Sequence, residues 1–176
     1  MTACPTIETE RLRLRPLTEA DLDRYFAIHS TLEVRASLHL PDTFDREDAW
    51  AQMASHRGQW ALRGSGQWGV ELKSDGTLIG RAGTHRPERA DWPGLECGWT
   101  FDPAHWGHGY ATEAGRATVD WAFATHDDDR LFSVILPENA ASQAVAGRLG
   151  FTLLEERTLA FFPSSPHGIW TLARPG

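Results

Sequence analysis

Along "ERLRLRPL" leucine and arginine alternate, with Leu12, Leu14 and Leu17 set against Arg11, Arg13 and Arg15. A period of two puts the leucines on one side of an extended chain, so this stretch reads as a half-buried strand closed by Pro16. Thr18 followed by Asp21 is a capping signature and predicts a helix running to about Ser30. "LEVRASLHLPDTF" carries no clear period and reads as irregular. Asp45 with Asp48 opens a second helix to roughly Leu62, with Trp50, Met53 and Ala54 on one face. Gly64 and Gly66 end it.

Beyond those glycines "QWGVELK" alternates, "SDG" turns, and "TLIGRAGTH" continues as the second arm of a β-hairpin. "ERADWPG" is a loop. "LECGWTF" is a strand stopped by Asp102 and Pro103. A glycine-bearing loop and a helix from about Gly109 to Ala124 follow. "RLFSVILP" is a buried strand, "ENAASQAVAGRLG" a short helix closed by Gly150, and "FTLLEERTLAF" and "GIWTLAR" are two closing strands. This order predicts an α/β fold: a mixed, predominantly antiparallel sheet with helices on both faces. It contains one strand–helix–strand crossover, and the glycine loop sits at the carboxyl end of that crossover's first strand, where open α/β sheets bind ligands.

The chain has 176 residues and is read as a single domain over 1–176, long enough to bury a core without staples. The net charge of −7 argues against a nucleic-acid backbone as partner. An acidic surface suits a cationic substrate and is equally a plain solubility feature. Cys4 and Cys97 form no disulfide framework or metal-ligand pair, and no run is apolar or long enough for a signal region or membrane span. A cytoplasmic location without membrane contact is therefore expected. Eight tryptophans are many for this length, so some are expected to line a cavity.

The loop itself reads "HWGHGYATEA", from His105 to Ala114. Glycines at a helix entrance let backbone N–H groups approach a ligand, and a helix N-terminus favours anions. A dinucleotide fold would require a third glycine where Thr112 stands, and a nucleotide P-loop would require a Lys-Ser or Lys-Thr pair. His105 and His108 have a metal-compatible spacing but no third ligand nearby, so no metal is expected.

Gly-x-Gly-x-Ala-Thr-Glu-Ala at the head of a helix resembles the pyrophosphate loop of the GCN5-related N-acetyltransferases (GNAT). The likeness covers nearly the whole chain. "ETERLRLRPLTEADLDRYF" resembles that family's first strand and helix, "LIGRAGTH" its third strand, and "LECGWTFDPAHWGHGYATEA" its fourth strand and cofactor loop. "PENAASQAVAGRLGF" resembles the Asn-x-x-Ser segment after its fifth strand. The two motifs together are similar to the RimJ/RimL-type branch, which acetylates protein N-terminal amines and assorted small amines. Ala104 departs from the Gln or Arg usual three residues before the first glycine. That removes one polar contact and leaves the backbone donors in place.

The resemblance implies a fold with splayed fourth and fifth strands, acetyl-CoA as co-substrate, and direct transfer to a primary amine. A protein N-terminal amine is the leading acceptor. A small amine (antibiotic, polyamine or amino acid) is the alternative, and a non-catalytic acyl-CoA-binding or sensing module is the reading from another class. A homodimer is compatible with the sequence, which does not fix the oligomeric state. The backbone of Trp106, Gly107, His108, Gly109, Tyr110, Ala111 and Thr112 is expected to hold the pyrophosphate. Trp99, Thr100 and Phe101 would pair with the pantetheine arm like an added strand, and a backbone N–H near Thr100 or Phe101 would polarise the thioester carbonyl. Asn139 and Ser142 are placed near the arm and the sulfur. Glu96 is the candidate base, acting directly or through water, and Ser142 the candidate donor to the leaving thiolate. Cys97 faces the other side of the strand and is expected in the core. Trp92, Trp99, Trp106, Trp170, Phe161 and Phe162 are candidates for the acceptor wall. "LEVRASLHLPDTF" and "ERADWPG" are the expected specificity loops.

Overall fold

The structure, a computed structural model, describes residues 4–176. Its strands are β1 (Ile7–Glu8), β2 (Leu12–Arg15), β3 (Gln67–Leu72), β4 (Leu78–His85), β5 (Glu96–Phe101), β6 (Arg130–Ile135), β7 (Thr152–Thr158) and β8 (Pro166–Ala173). The helices are α1 (Leu22–His29), α2 (Leu32–Leu38), α3 (Arg46–Arg63), α4 (Tyr110–Thr125) and α5 (Ala140–Leu149). The strands form one sheet in the order β1-β2-β3-β4-β5-β6-β8-β7. Every neighbouring pair is antiparallel except β5 and β6, the strands joined by the α4 crossover. This is the mixed, mostly antiparallel sheet that the sequence pattern predicts.

The leucines of the first alternating stretch, Leu12 and Leu14, are fully buried, while Arg13 and Arg15 lie on the opposite face. Burying each such leucine contributes about 2 kcal/mol. Trp68, Val70, Ala82 and Phe101 extend this apolar face toward Ala114 on α4. Trp60, Trp68 and Trp121 pack ring against ring, with centroids 4.7–5.2 Å apart. The two fully buried indoles still find acceptors, Trp60 on the Gln67 carbonyl and Trp68 on the Pro5 carbonyl, as buried Trp N–H groups require. On the other face α1 and α3 cover a smaller cluster that includes Leu22, Tyr25, Met53 and Leu78.

The caps follow the sequence. Asp45 accepts from the N–H groups of Glu47 and Asp48, and Gly64 ends α3 in the left-handed region. Asp21 accepts from the Thr18 N–H and receives both terminal nitrogens of Arg15, so one carboxylate fixes a turn and neutralises the strand's arginine. A single 3-10 turn, Glu19–Asp21, precedes α1.

Three features differ from the expectations. The segment read as irregular contains α2, which ends at His39 with a φ of 53°. Its buried position is Val34, too little to set a visible period. The buried face of α3 is Ala49, Met53 and Trp60, whereas Trp50 is half exposed and Ala54 exposed. The Trp50 indole N–H donates to Glu19 at the helix rim instead. Finally, β1 adds a short edge strand, and β7 stops at Thr158, leaving Phe161 and Phe162 in a loop.

Candidate active site

Beside Glu96 and Phe132 the parallel strands β5 and β6 share one register pair, and beyond it they diverge. The Phe132 N–H reaches the Leu95 carbonyl, and the Asp102 N–H reaches Ile79 on β4. By strand alternation the backbone groups of Trp99 and Phe101 point into the opening, while those of Thr100 point to β4. The Phe101 carbonyl already accepts the Trp106 indole N–H at 2.8 Å. Trp99 N–H, Trp99 C=O and Phe101 N–H remain on the open side. Of the two N–H groups suggested for carbonyl polarisation, Thr100 is therefore corrected: its donor is engaged in the ladder, and Phe101 carries the free one.

A cleft of about 1040 Å³ runs from this opening along the start of α4. Trp99, Thr100, Phe101, Trp106, Gly107, Gly109, Tyr110, Ala111 and Thr112 line it. Gly107 and Gly109 have φ of 80° and 81°, which favours glycine at both positions. Gly109 stands at the N-cap of α4 with no side-chain cap, so the first helical N–H groups have no carbonyl a turn behind them. The His108 side chain lies outside the cleft lining. Its ring stacks on Tyr110 with centroids 5.7 Å apart, and its Nδ1 lies 2.9 Å from the Trp106 carbonyl. Its own carbonyl accepts from Arg11, whose guanidinium also binds Glu113. Burial alone would raise the Glu113 carboxyl. The Thr9 hydroxyl and the Arg11 N–H and guanidinium outweigh it and hold that carboxyl below the usual range.

A second cleft, about 640 Å³, opens on the α1–α3 side of the sheet. Glu96 lines it, its Oε2 3.3 Å from His85 Nδ1, and the side chain is 13% exposed. Gly98 beside it leaves an open floor, since a Cβ there would meet Glu96 and Gln67 only at ordinary contact distance. Trp92, Trp99, Phe161 and Phe162 line this cleft and Trp106 lines the first. Trp170 lines neither and packs on the β6 core. Leu38–Pro41 and the Arg89–Trp92 loop also reach the second cleft, so both suggested loops border it.

Ser37, Trp99, Thr100, Leu136, Asn139 and Ser142 line both clefts. The Asn139 side chain accepts from the Ser142 N–H at 3.0 Å and caps α5. The Ser142 hydroxyl makes no hydrogen bond among the described residues. Cys97 is fully buried, and burial pushes its thiol up, as suits a core side chain. His105 Nδ1 faces Asp102 at 3.6 Å. Among the described residues no three His, Cys, Asp or Glu side chains gather as a metal centre.

The sequence reading missed Arg116 and Arg148, which line the first cleft without a carboxylate partner among the described residues; Arg116 donates to the Arg148 carbonyl. A signal was present for Arg116. It lies one helical turn beyond Thr112, on the same face as the loop's N–H groups. Arg81 in the second cleft was also missed, because nothing in "LIGRAGTH" sets its side chain apart from other strand arginines.

Residues 11–152 match the model of the acetyltransferase (GNAT) domain. The chain belongs to the GNAT acetyltransferase family and is an N-acetyltransferase. It is 29% identical over 151 residues to the uncharacterized N-acetyltransferase YoaA of Bacillus subtilis (strain 168), covering 84% of this chain and 82% of that protein. An acetyltransferase from Agrobacterium tumefaciens str. C58, of known crystal structure, is 32% identical with a TM-score of 0.84, covering 98% and 96% of the two chains. RimL, a ribosomal L7/L12 alpha-N-protein acetyltransferase solved in complex with coenzyme A, shares the fold at 17% identity and a TM-score of 0.78, covering 96% and 98%.

Proposed function

We propose that this chain moves an acetyl group from acetyl-CoA in the first cleft directly to a primary amine in the second, and that the amine is a protein N-terminus. The observation that carries this reading is the meeting of the two clefts at Trp99, Thr100, Asn139 and Ser142. A donor and an acceptor approaching from opposite sides of a split sheet would come together there without a covalent enzyme intermediate.

The first cleft suits coenzyme A in shape and chemistry. It is long, its head is a ring of free helix N–H groups, and two unpaired guanidiniums flank it. In this reading the N–H groups of Gly107 to Thr112 hold the pyrophosphate, with Arg116 and Arg148 beside the phosphates. The Trp99 N–H and C=O hold the amide-rich arm. The bound co-substrate supplies an activated acetyl thioester. Glu96 accepts the proton that an ammonium must lose to become a nucleophile, directly or through one water, and His85 orients that carboxylate. The Phe101 N–H donates to the carbonyl oxygen as charge grows there. The Ser142 hydroxyl, free of other duties, donates to the departing thiolate.

Two features support a chain terminus as acceptor. The second cleft opens between two loops, Leu38–Pro41 and Phe161–Ser164, which leaves room for an extended segment to trail out. The fold likeness to RimL is in keeping with this. Thiol release and product mass can be followed with Ser- and Ala-starting peptides beside polyamines, aminoglycosides and free amino acids. Acetylation at peptide α-amines is the expected result. Acetylation confined to free small amines would replace the N-terminus with a small-molecule acceptor.

A further inference from the structure

Every arginine on the β2 side of this sheet face has a carboxylate. Arg13 and Arg15 share Glu71, and Arg15 also takes Asp21. Arg81, on the same face of β4, has none among the described residues. Its Nη1 donates to the Gln67 side-chain oxygen at 3.1 Å and its Nε to His29 Nε2 at 3.4 Å. Both acceptors are neutral. His29 gives its Nδ1 hydrogen to the Tyr25 carbonyl at 2.9 Å, which leaves Nε2 as a lone pair for the guanidinium. Burial, with Arg81 beside it, lowers the His29 pKa to about 3. Burial and the same guanidinium hold His56 well below the ordinary histidine range. The arginine is thus aimed by its neighbours without being neutralised.

The rest of the second cleft has the same sign. Its charged lining is Arg81 and Arg89 against Glu96 alone. Arg89 stacks over the Phe161 ring, 3.3 Å from its centroid, and has no carboxylate in ion-pair contact among the described residues. Within a chain of net charge −7 this cleft carries a surplus positive charge. A partly buried guanidinium without a counter-ion costs free energy unless a ligand supplies the anion. The chain's overall acidity is as much a solubility feature as a match for a cationic substrate, and the cleft's own lining favours an anion.

We propose that the acceptor is an amine that also carries an anionic group, bound so that the amine lies at Glu96 and the anion at Arg81. This rests on the reading that the second cleft receives the acceptor, and it holds whether that amine ends a protein or belongs to a free molecule. Arg81 and Glu96 suit the division. In the β4–β5 register Arg81 pairs with Thr100 and His85 with Glu96, so the two side chains approach from opposite ends of the open Gly98 floor. Roughly 13 Å of strand separates their backbone positions, and the reach of the two side chains narrows the gap to that of a small zwitterion or the first residues of a peptide. Polyamines and aminoglycosides would set further cations against Arg81 and Arg89.

Two series of matched acceptors test this at saturating acetyl-CoA. One compares free amino acids with their carboxamides. The other compares Ser- and Ala-starting peptides carrying Asp or Glu at the second or third position with the same peptides carrying Asn or Gln. In at least one series the anionic member should have a kcat/KM about tenfold to a hundredfold above its neutral partner, the range of a charge-assisted hydrogen bond. Arg81→Met should bring the two members within about twofold, and Arg81→Lys should keep part of the preference. Equal rates within every wild-type pair, faster turnover of polyamines, or no turnover of any anionic amine would overturn the proposal, whether or not Arg81→Met folds. Preference in the amino-acid series alone would keep the anion and discard the protein N-terminus. Acetylation of peptides without charge preference would do the reverse.

Discussion

Arg11 and Glu113 lie 102 positions apart and meet at 2.7 Å. The contact ties the start of the first long strand to the first turn of α4. The same guanidinium holds the His108 carbonyl at 2.9 Å, so one arginine braces the glycine loop from outside the cleft. Glu113→Gln should lower stability by about 1 kcal/mol, because the half-exposed Arg11 limits the worth of the pair. The Glu113 carboxyl is held below its ordinary value, so its contribution is full above about pH 4.3 and fades as pH falls through the lowered folded value. Wild type and variant melting temperatures should therefore converge on acidification. A gap that persists at low pH would show that the pair contributes through packing.

Replacing Gly109 by valine should weaken coenzyme A binding by tenfold or more. A Cβ at this position meets only Arg11, at an ordinary 3.5 Å, so crowding is not the cause. The cause is a φ of 81°, which a β-branched residue resists. Relief of that strain would turn the loop's N–H groups away from the phosphates. Titration calorimetry measures it, and unchanged affinity in a folded variant would remove the loop from the site.

Glu96→Gln should lower kcat by roughly a hundredfold to ten-thousandfold and leave acetyl-CoA affinity within about twofold, since Glu96 lines only the second cleft. The amide keeps the shape but takes no proton. The defect should be largest at mildly acidic pH and shrink at high pH, where the amine arrives neutral. Identical pH–rate profiles for the two proteins would leave solvent as the proton acceptor.

Asn139 and Ser142 should separate in their effects. Asn139→Ala removes the α5 cap and should cost about 1 kcal/mol of stability. Ser142→Ala keeps the backbone N–H that the cap uses, so its melting temperature should hold while turnover falls roughly tenfold to a hundredfold. Parallel melting curves and steady-state rates compare them. A fully active Ser142→Ala would show that the thiolate leaves unaided.

What the sequence makes visible here is what repeats or caps. Alternation marks Leu12 and Leu14, Asp45 and Gly64 mark the ends of α3, and the glycine pair marks the head of α4. The features missed depend on tertiary contact. α2 holds its shape through Val34 and ends at a left-handed histidine, neither of which leaves a period. The α3 stripe was read through Trp50, whose indole sits at the rim because Glu19 offers it an acceptor there. Arg11, on a distant strand, braces the His108 carbonyl, a contact that no local pattern announces. Arg81 reads like its neighbours Arg13 and Arg15. Only the folded chain shows that they have carboxylates and that it has a histidine.

The single register pair between β5 and β6 leaves a seam down the middle of the sheet. Strands β1 to β5 form one panel and β6 to β8 another, and besides the Glu96–Phe132 pair Val119 and Ala122 of α4 share a core with Leu131 and Ile135 of β6. A molecule that threads the seam and pairs with Trp99 supplies rungs that the ladder lacks, so it belongs to the architecture as much as to the reaction. By mass action such a ligand at a hundred times its Kd adds about 2.7 kcal/mol to folding. A donor bound in this way would couple the endurance of the fold to its own supply, and the protein would be at its most perishable when that donor is scarce.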